Sequence, residues 1–166
     1  MSRIAHALAQ IEFARWYSRR LIDSFDPADW FRMPAEGVTH LAWQVGHLAI
    51  AEYFLCLYRL RGPRPDDAAV ISPELIAVFD GDRVPPAEFS KYMDREGLLA
   101  TLDRVHAQVL RELPEFPDAE LDSPVEKPHP IWKTKAEVIR WCPLHEMSHA
   151  GQIGLLRRLF GHNPIW

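Results

Sequence analysis

Two histidines stand four residues apart in the segment His145-Glu-Met-Ser-His149. In an α-helix this spacing places both imidazole rings on one face, where they can bind a single metal ion. Val138, Cys142 and Leu156 share that face by spacings of three, four and seven, so it is predicted to point into the core. Burying two unpartnered imidazoles would cost roughly 1–3 kcal/mol each, and a bound cation would remove that cost. The pair therefore predicts a metal site.

A third ligand must come from another helix, and His47 and His40 are the two candidates in a second strongly helical segment. Seven residues place them on one face but about 10 Å apart along the axis, so both cannot bind the same ion. We expect His40 to be exposed in the first turn, whereas His47 lies mid-helix beside apolar residues. His47 is therefore the predicted third ligand. The other histidines are expected to be ordinary core, surface or loop residues: His6, His106, His129 and His162.

The same segment also fits the His-Glu-x-x-His pattern of zinc proteases, in which Glu146 would be the general base. The elongated protease motif needs Gly at 152 and His at 155, but this chain has Gln152 and Leu155. The other protease type needs a carboxylate ligand downstream, and no Asp or Glu follows Glu146. A catalytic Glu146 is therefore a secondary hypothesis, beside a solvated or hydrogen-bonded one. Cys142 is interpreted as a small buried residue rather than a fourth ligand.

Helical periodicity predicts the elements that must carry these residues. Four segments show it: residues 4–25, residues 39–61 with Thr39 as N-cap, about 94–113, and 134–160 with a capping box at its start. Two Pro-rich connections, about 62–93 and 114–133, separate them, and the first contains a short helix that begins at Ser72-Pro73-Glu74. Strand-like alternation is missing. We predict an all-α fold, a four-helix bundle with a long crossover connection, as a single domain over residues 1–166.

Composition restricts the partners. Apolar residues make up 48% and charged residues 25%, which is typical of a globular protein, and the net charge of -4 argues against nucleic acid. The longest uncharged stretch, residues 37–51, is shorter than the roughly 20 residues of a membrane span. No signal-peptide core is visible, and Cys56 and Cys142 do not make a disulfide framework. We expect a cytoplasmic protein without membrane or nucleic-acid contacts.

Both histidine segments resemble motifs of the DinB-like (DinB/YfiT) superfamily of metalloproteins. His40-Leu-Ala-Trp-Gln-Val-Gly-His47 is similar to its second-helix motif, and His145-Glu-Met-Ser-His149-Ala-Gly-Gln-Ile153 to its fourth-helix motif. The resemblance implies a four-helix bundle whose metal ligands are His47, His145 and His149. It implies zinc or nickel as the usual ion, with iron in some relatives. It also implies a homodimer formed by helix packing.

The resemblance implies more than one activity. Some relatives transfer low-molecular-weight thiols to electrophiles, one resembles a thiol-dependent maleylpyruvate isomerase, and a related domain occurs in iron-dependent sulfoxide synthases. Three neutral histidines leave a coordination position open. Our leading hypothesis is a metal-dependent thiol transferase acting on a small electrophile, with the connection from Pro63 to Pro86 shaping access. The alternatives are a hydrolase that uses metal-bound water and a noncatalytic metal-binding or sensing domain.

Overall fold

Four long helices and several short ones form the part of the chain that this computed structural model describes, which is residues 2–36, 38–79 and 92–165. The long helices are α1 (Arg3–Asp23), α2 (Leu41–Tyr53), α6 (Arg95–Glu112) and α7 (Lys135–Leu159), and the short ones are α3 (Arg59–Arg61), α4 (Asp67–Val70) and α5 (Pro73–Phe79). A π-helical segment, Phe54–Tyr58, joins α2 to α3. Within the described ranges the only β-type pairing is one isolated bridge. The predicted all-α fold is confirmed.

The ends of the long helices follow the chemistry of their capping residues. The Asp94 carboxylate accepts a hydrogen bond from the backbone N–H of Gly97 and so starts α6. Thr134 and Glu137 form the predicted capping box at the start of α7. Gly161 follows α7 with a φ of 85°, a backbone conformation that glycine adopts without strain. The predicted bounds of these two helices are correct to within one residue.

The predicted start of α2 was wrong in two respects. His40, not Thr39, is the N-cap, because its Nδ1 atom accepts a hydrogen bond from the backbone N–H of Trp43 at 3.1 Å. His40 is also buried rather than exposed, with 1% of its surface accessible and its ring 5.0 Å from that of Tyr92. The hydroxyl of Thr39 instead accepts a hydrogen bond from Gln44. General capping preferences favour threonine over histidine, and only tertiary packing reverses that order here.

A buried group of charges joins all four long helices. α1 packs against α7, and α2 packs against both α6 and α7. At the centre, the guanidinium group of Arg15 on α1 binds the carboxylates of Glu52 on α2, at 2.9 Å, and Glu146 on α7, at 2.7 Å. His106 on α6 contacts Glu52 at 2.6 Å. These contacts fix the order in which the helices meet around the apolar core.

Of the helices within the described ranges, none combines the length and apolar content needed to cross a bilayer.

The long connection after α3 contributes directly to the packing of α2. It contains α4 and the predicted short helix, α5, whose last residue is Phe79. A Cβ atom at Gly46 would lie 2.4 Å from the Phe79 ring, so only glycine permits this approach of α5 to α2. The rest of the region predicted to shape access, residues 80–86, lies outside the described residues.

Candidate metal centre

The three predicted ligands converge between α2 and α7. The Nε2 atom of His145 lies 3.4 Å from Nε2 of His47 and 3.2 Å from Nε2 of His149. One nitrogen from each of the three rings fits within 4.8 Å of the other two. Ligands held about 2.0–2.1 Å from a zinc ion at tetrahedral angles are themselves about 3.4 Å apart. The observed separations match those of a shared coordination sphere.

Hydrogen bonds on the far side of two rings fix which nitrogen carries the proton. The Nδ1 atom of His47 faces the backbone carbonyl of Phe79 at 3.2 Å, and Nδ1 of His149 faces the side-chain oxygen of Gln44 at 2.6 Å. Both partners are acceptors when Gln44 is oriented this way, so each Nδ1–H donates and each Nε2 keeps a lone pair. Both lone pairs face Nε2 of His145. A single N–H at Nε2 of His145 cannot donate a full hydrogen bond to both of these lone pairs. One cation, in contrast, can accept a lone pair from each of the three rings.

Burial keeps two of the three rings, those of His145 and His149, in the neutral form that binds metals. Burial, together with the neighbouring His47 ring, lowers the pKa of His145 to about 4. Burial also lowers the pKa of His149 to about 3, with further contributions from His145 and His47. Rings with these pKa values are unprotonated at neutral pH, so a metal ion need not displace protons from them.

A glutamine pair supports the site from behind, in a role that the spacing of the histidines does not reveal. The side-chain nitrogen of Gln44 donates to the Gln152 oxygen at 2.9 Å and to the Thr39 hydroxyl at 3.2 Å. These bonds orient the Gln44 oxygen toward His149. The sequence did contain a signal for this role. Gln44 and Gln152 lie within the two histidine motifs, each on the same helix face as the predicted ligands of its motif. Such partners of a metal-bound histidine set its ring orientation.

One side of the group is apolar and the other is partly open. The Trp43 ring stacks on His47 at 4.7 Å with an interplanar angle of 8°. His149 is buried, whereas His47 and His145 are half-buried. An ion bound by the three rings would therefore be accessible from the side of His47 and His145. That accessibility is what a site that exchanges a small ligand requires.

Glu146 and Cys142 lie outside the three-histidine group. The Glu146 carboxylate receives hydrogen bonds from Nε of Arg15 at 2.7 Å, from Nη2 of Arg15 at 3.2 Å, and from the Ser18 hydroxyl. It is 3% exposed and belongs to the charge group that joins the helices. A hydrogen bond that the Cys142 thiol donates to Cys56, together with burial, raises the pKa of Cys142. Its placement fits the predicted role as a small buried residue.

Comparison with known families agrees with this geometry. The family model of the DinB superfamily matches residues 10–153, a range that contains all three histidines and both glutamines. The chain belongs to the DinB superfamily. No curated protein matches the sequence. The predicted superfamily is thus confirmed, and in this DinB-superfamily protein His47, His145 and His149 form a group that can hold a divalent metal ion.

Proposed function

We propose that this DinB-superfamily protein is a metal-dependent transferase that joins a low-molecular-weight thiol to a small electrophile. The observation that carries the proposal is the set of three imidazoles at ligand spacing, because three protein ligands leave one tetrahedral position for another molecule. A zinc or nickel ion held there would supply a Lewis acid that lowers the pKa of a thiol. Iron is the third possibility.

The surroundings of Glu146 favour thiol transfer over hydrolysis. A hydrolase of this type needs a base, and both Glu146 oxygens are already bound by Arg15. Removing the carboxylate from that pair would leave Arg15 with a single partner acid, Glu52. A thiol whose pKa is already lowered needs no protein base. The role left to Glu146 is to position α7, and hence His145, against α1.

The thiol in this proposal comes from a small molecule rather than from the chain. Cys56 and Cys142 are both free and buried. Because the raised pKa keeps the Cys142 thiol protonated, it is a poor nucleophile. The proposal assigns the protein to a reducing cytoplasm, where such thiol cofactors and free cysteines both persist.

Metal analysis followed by turnover measurement tests this function. The purified protein should contain one divalent ion and catalyse attack of the sulfur of bacillithiol, mycothiol or cysteine on chlorodinitrobenzene. In this step a C–S bond forms, chloride leaves and the thiol proton passes to solvent. His47→Ala should lose both metal and turnover, whereas His6→Ala, which changes an exposed histidine of α1, should lose neither. Glu146→Gln should keep its turnover per bound metal ion. Turnover by a metal-free His47→Ala protein would overturn the proposal.

Two other results would select the alternatives. Thiol-independent cleavage of an ester such as nitrophenyl acetate, lost in Glu146→Gln, would indicate the hydrolase. A fully loaded protein that converts no electrophile with any of these thiols would indicate a noncatalytic metal-binding or sensing domain.

We also propose that the protein forms a homodimer through an apolar face on α1 and α7. Phe13 and Trp16 are 58% and 49% exposed on α1, and Leu144 is 60% exposed on α7. Phe13 and Leu144 line the same groove between the two helices. Large apolar side chains that are exposed side by side are typical of interaction sites. On α7 the face continues along one stripe to Met147, Leu155 and Leu159.

Light scattering after gel filtration tests the dimer. Wild-type protein should elute as a dimer at micromolar concentration, and Leu144→Glu should elute as a monomer because a carboxylate would be buried. Ile131→Glu is the matched control, since Ile131 is 48% exposed but lies outside this face. A monomeric wild-type protein would refute the dimer.

A further inference from the structure

A cavity lies at the end of the bundle where α7 begins. Its volume is about 800 Å³, within the range of small-molecule sites, and its walls come from the end of the π-helical segment, α3, the end of α6 and the connection that follows α6. Lys135, the first residue of α7, is part of the wall. Ten residues separate Lys135 from His145, which corresponds to about 15 Å along the helix. The cavity is therefore separate from the three-histidine group.

The wall of this cavity is cationic although the chain as a whole is acidic. Six Arg and Lys side chains line it against four Glu side chains, in a protein with a net charge of -4. Three of the six cations, Arg61, Arg64 and Lys135, pair with carboxylates. Arg61 pairs with Glu112 at 2.6 Å, and Lys135 pairs with Glu120 at 3.1 Å.

Three cations of the wall have no carboxylate partner within the described ranges, Arg111, Lys127 and Arg59, and of these only Arg59 is not exposed. Its Nε atom is buried and has no hydrogen-bond acceptor there. Its guanidinium group lies over the ring of Trp132, 5.4 Å from the centroid. The indole Nε1 of Trp132, a residue that is 8% exposed, is also buried without an acceptor. Arg59 lines the cavity and Trp132 does not, so the half-buried guanidinium charge of Arg59, which no carboxylate in the described ranges neutralises, is what this part of the wall offers to a bound anion.

The backbone just before Arg59 is π-helical, and this affects the direction of the Arg59 side chain. Phe54–Tyr58 is π-helical, and a π-helical turn accommodates one more residue than an α-helical turn. The side chains that follow are rotated relative to those of an uninterrupted α-helix. Arg59 is the first residue after this segment. Single π-helical turns within longer helices occur frequently at functional sites.

We propose that this cavity binds a small organic anion, a carboxylate or phosphate ester on an apolar body, with Arg59 as its charge partner. The guanidinium group offers a planar set of donors that matches both anions. Leu57, Leu113 and Phe116 supply apolar wall for the body of the ligand. This site does not depend on the metal centre or on the proposed transferase activity.

Calorimetric titration of the full chain tests the site with three probes: phenylacetate, phenyl phosphate and the neutral phenylacetamide. The two anions should bind and the amide should not. Arg59→Gln should weaken anion binding about tenfold or more, because it removes a charge-assisted hydrogen bond. Arg158→Gln removes the same charge from an exposed position near the opposite end of α7 and should bind as the wild type does.

Two further variants distinguish this site from the metal centre and from simple charge attraction. His145→Ala should bind both anions normally, since the cavity is distinct from the metal centre. Arg59→Lys keeps the charge but loses the planar donor set, so its affinity should fall between those of the wild type and Arg59→Gln. Absence of saturable anion binding at millimolar concentration, equal affinity in Arg59→Gln, or loss of binding in His145→Ala alone would each overturn the proposal.

Discussion

The side-chain oxygen of Gln44 accepts a hydrogen bond from Nδ1 of His149 across 2.6 Å, and this contact aims the opposite nitrogen of the ring at His145. The Gln44 amide is itself held by Gln152 and Thr39. α2 therefore contributes to the candidate metal centre twice, through the predicted ligand His47 and through Gln44, which orients the predicted ligand His149 of α7. Ligand and support lie three residues apart, on one face of the helix.

Replacing Gln44 should weaken metal binding without removing a ligand. Gln44→Met loses the acceptor for Nδ1–H of His149, so the ring can take other orientations and the other tautomer. We expect metal affinity to fall about 10–100-fold, measured by competition with a chromogenic chelator. Gln10→Met, at an exposed position of α1, is the control. Unchanged affinity in Gln44→Met would mean that the hydrogen bond does not order the ring.

Gly46→Ala should damage both the fold and the site. Its Cβ atom would lie 2.4 Å from the Phe79 ring, so α5 must move, and the Phe79 carbonyl that holds His47 moves with it. Overpacking of this kind costs about 1–3 kcal/mol of unfolding free energy. We also expect weaker metal binding in the same competition assay.

Gly154→Ala is the matched control for Gly46→Ala. A Cβ atom there meets nothing within 4 Å, so the change should be neutral or stabilise α7 by up to about 1 kcal/mol. Chemical denaturation of the two variants in parallel measures the difference. Equal stabilities would show that α5 does not press on α2 at Gly46.

The sequence predicts the three-histidine group because much of its spacing is local. His145 and His149 are four residues apart on one helix, so only the third ligand depends on how helices pack. Apolar residues around His47 indicate the buried face, which is why it could be chosen over His40. The same reasoning failed for His40, whose burial depends on contacts with Phe31 and Tyr92 from distant parts of the chain.

The central charge group could not be predicted from the sequence. Arg15 lies on the apolar stripe of its helix, four residues after Ile11 and seven before Ile22, whereas Arg19 lies off it, so the sequence carries a signal for the burial of Arg15 but none for its partners. Only the packed structure shows that Arg15 is buried between Glu52 and Glu146, while Arg19 pairs with Asp23 near the surface. Long-range ion pairs carry no periodic signal, because their spacing in the sequence is set by the tertiary fold.

Removing Arg15 should destabilise the protein strongly. The Arg15 charge lowers the pKa of Glu52 even though burial alone would raise it, so Arg15→Met leaves two buried carboxylates without their cation. We expect a loss of about 3–5 kcal/mol in unfolding free energy. Arg32→Met, which removes a mostly exposed partner of Asp29, should cost no more than about 1 kcal/mol. Similar losses in both variants would show that the buried group does not hold the helices together.

Acidification should begin to destabilise the metal-free protein at a pH well above the pKa values that its buried histidines have in the folded state. Burial lowers the pKa of His40 to about 4, and those of His145 and His149 to about 4 and about 3, from an ordinary value of 6.5. Below pH 6.5 the unfolded chain therefore binds protons that the folded chain excludes. Unfolding free energy should be at its full value above this pH and should fall as pH decreases toward 4, by up to about 1.4 kcal/mol per pH unit for each ring.

His40→Asn separates the capping residue from the metal ligands in this pH dependence. Asparagine keeps a side-chain acceptor for the backbone N–H of Trp43 but cannot titrate. The slope of unfolding free energy against pH between pH 6.5 and 4 should therefore decrease by about the contribution of one imidazole ring. Urea denaturation of chelator-treated protein at successive pH values measures both slopes. A flat profile in the wild type would mean that the three rings are not protected from protons, and the neutral, ligand-ready state of His145 and His149 would then fail as well.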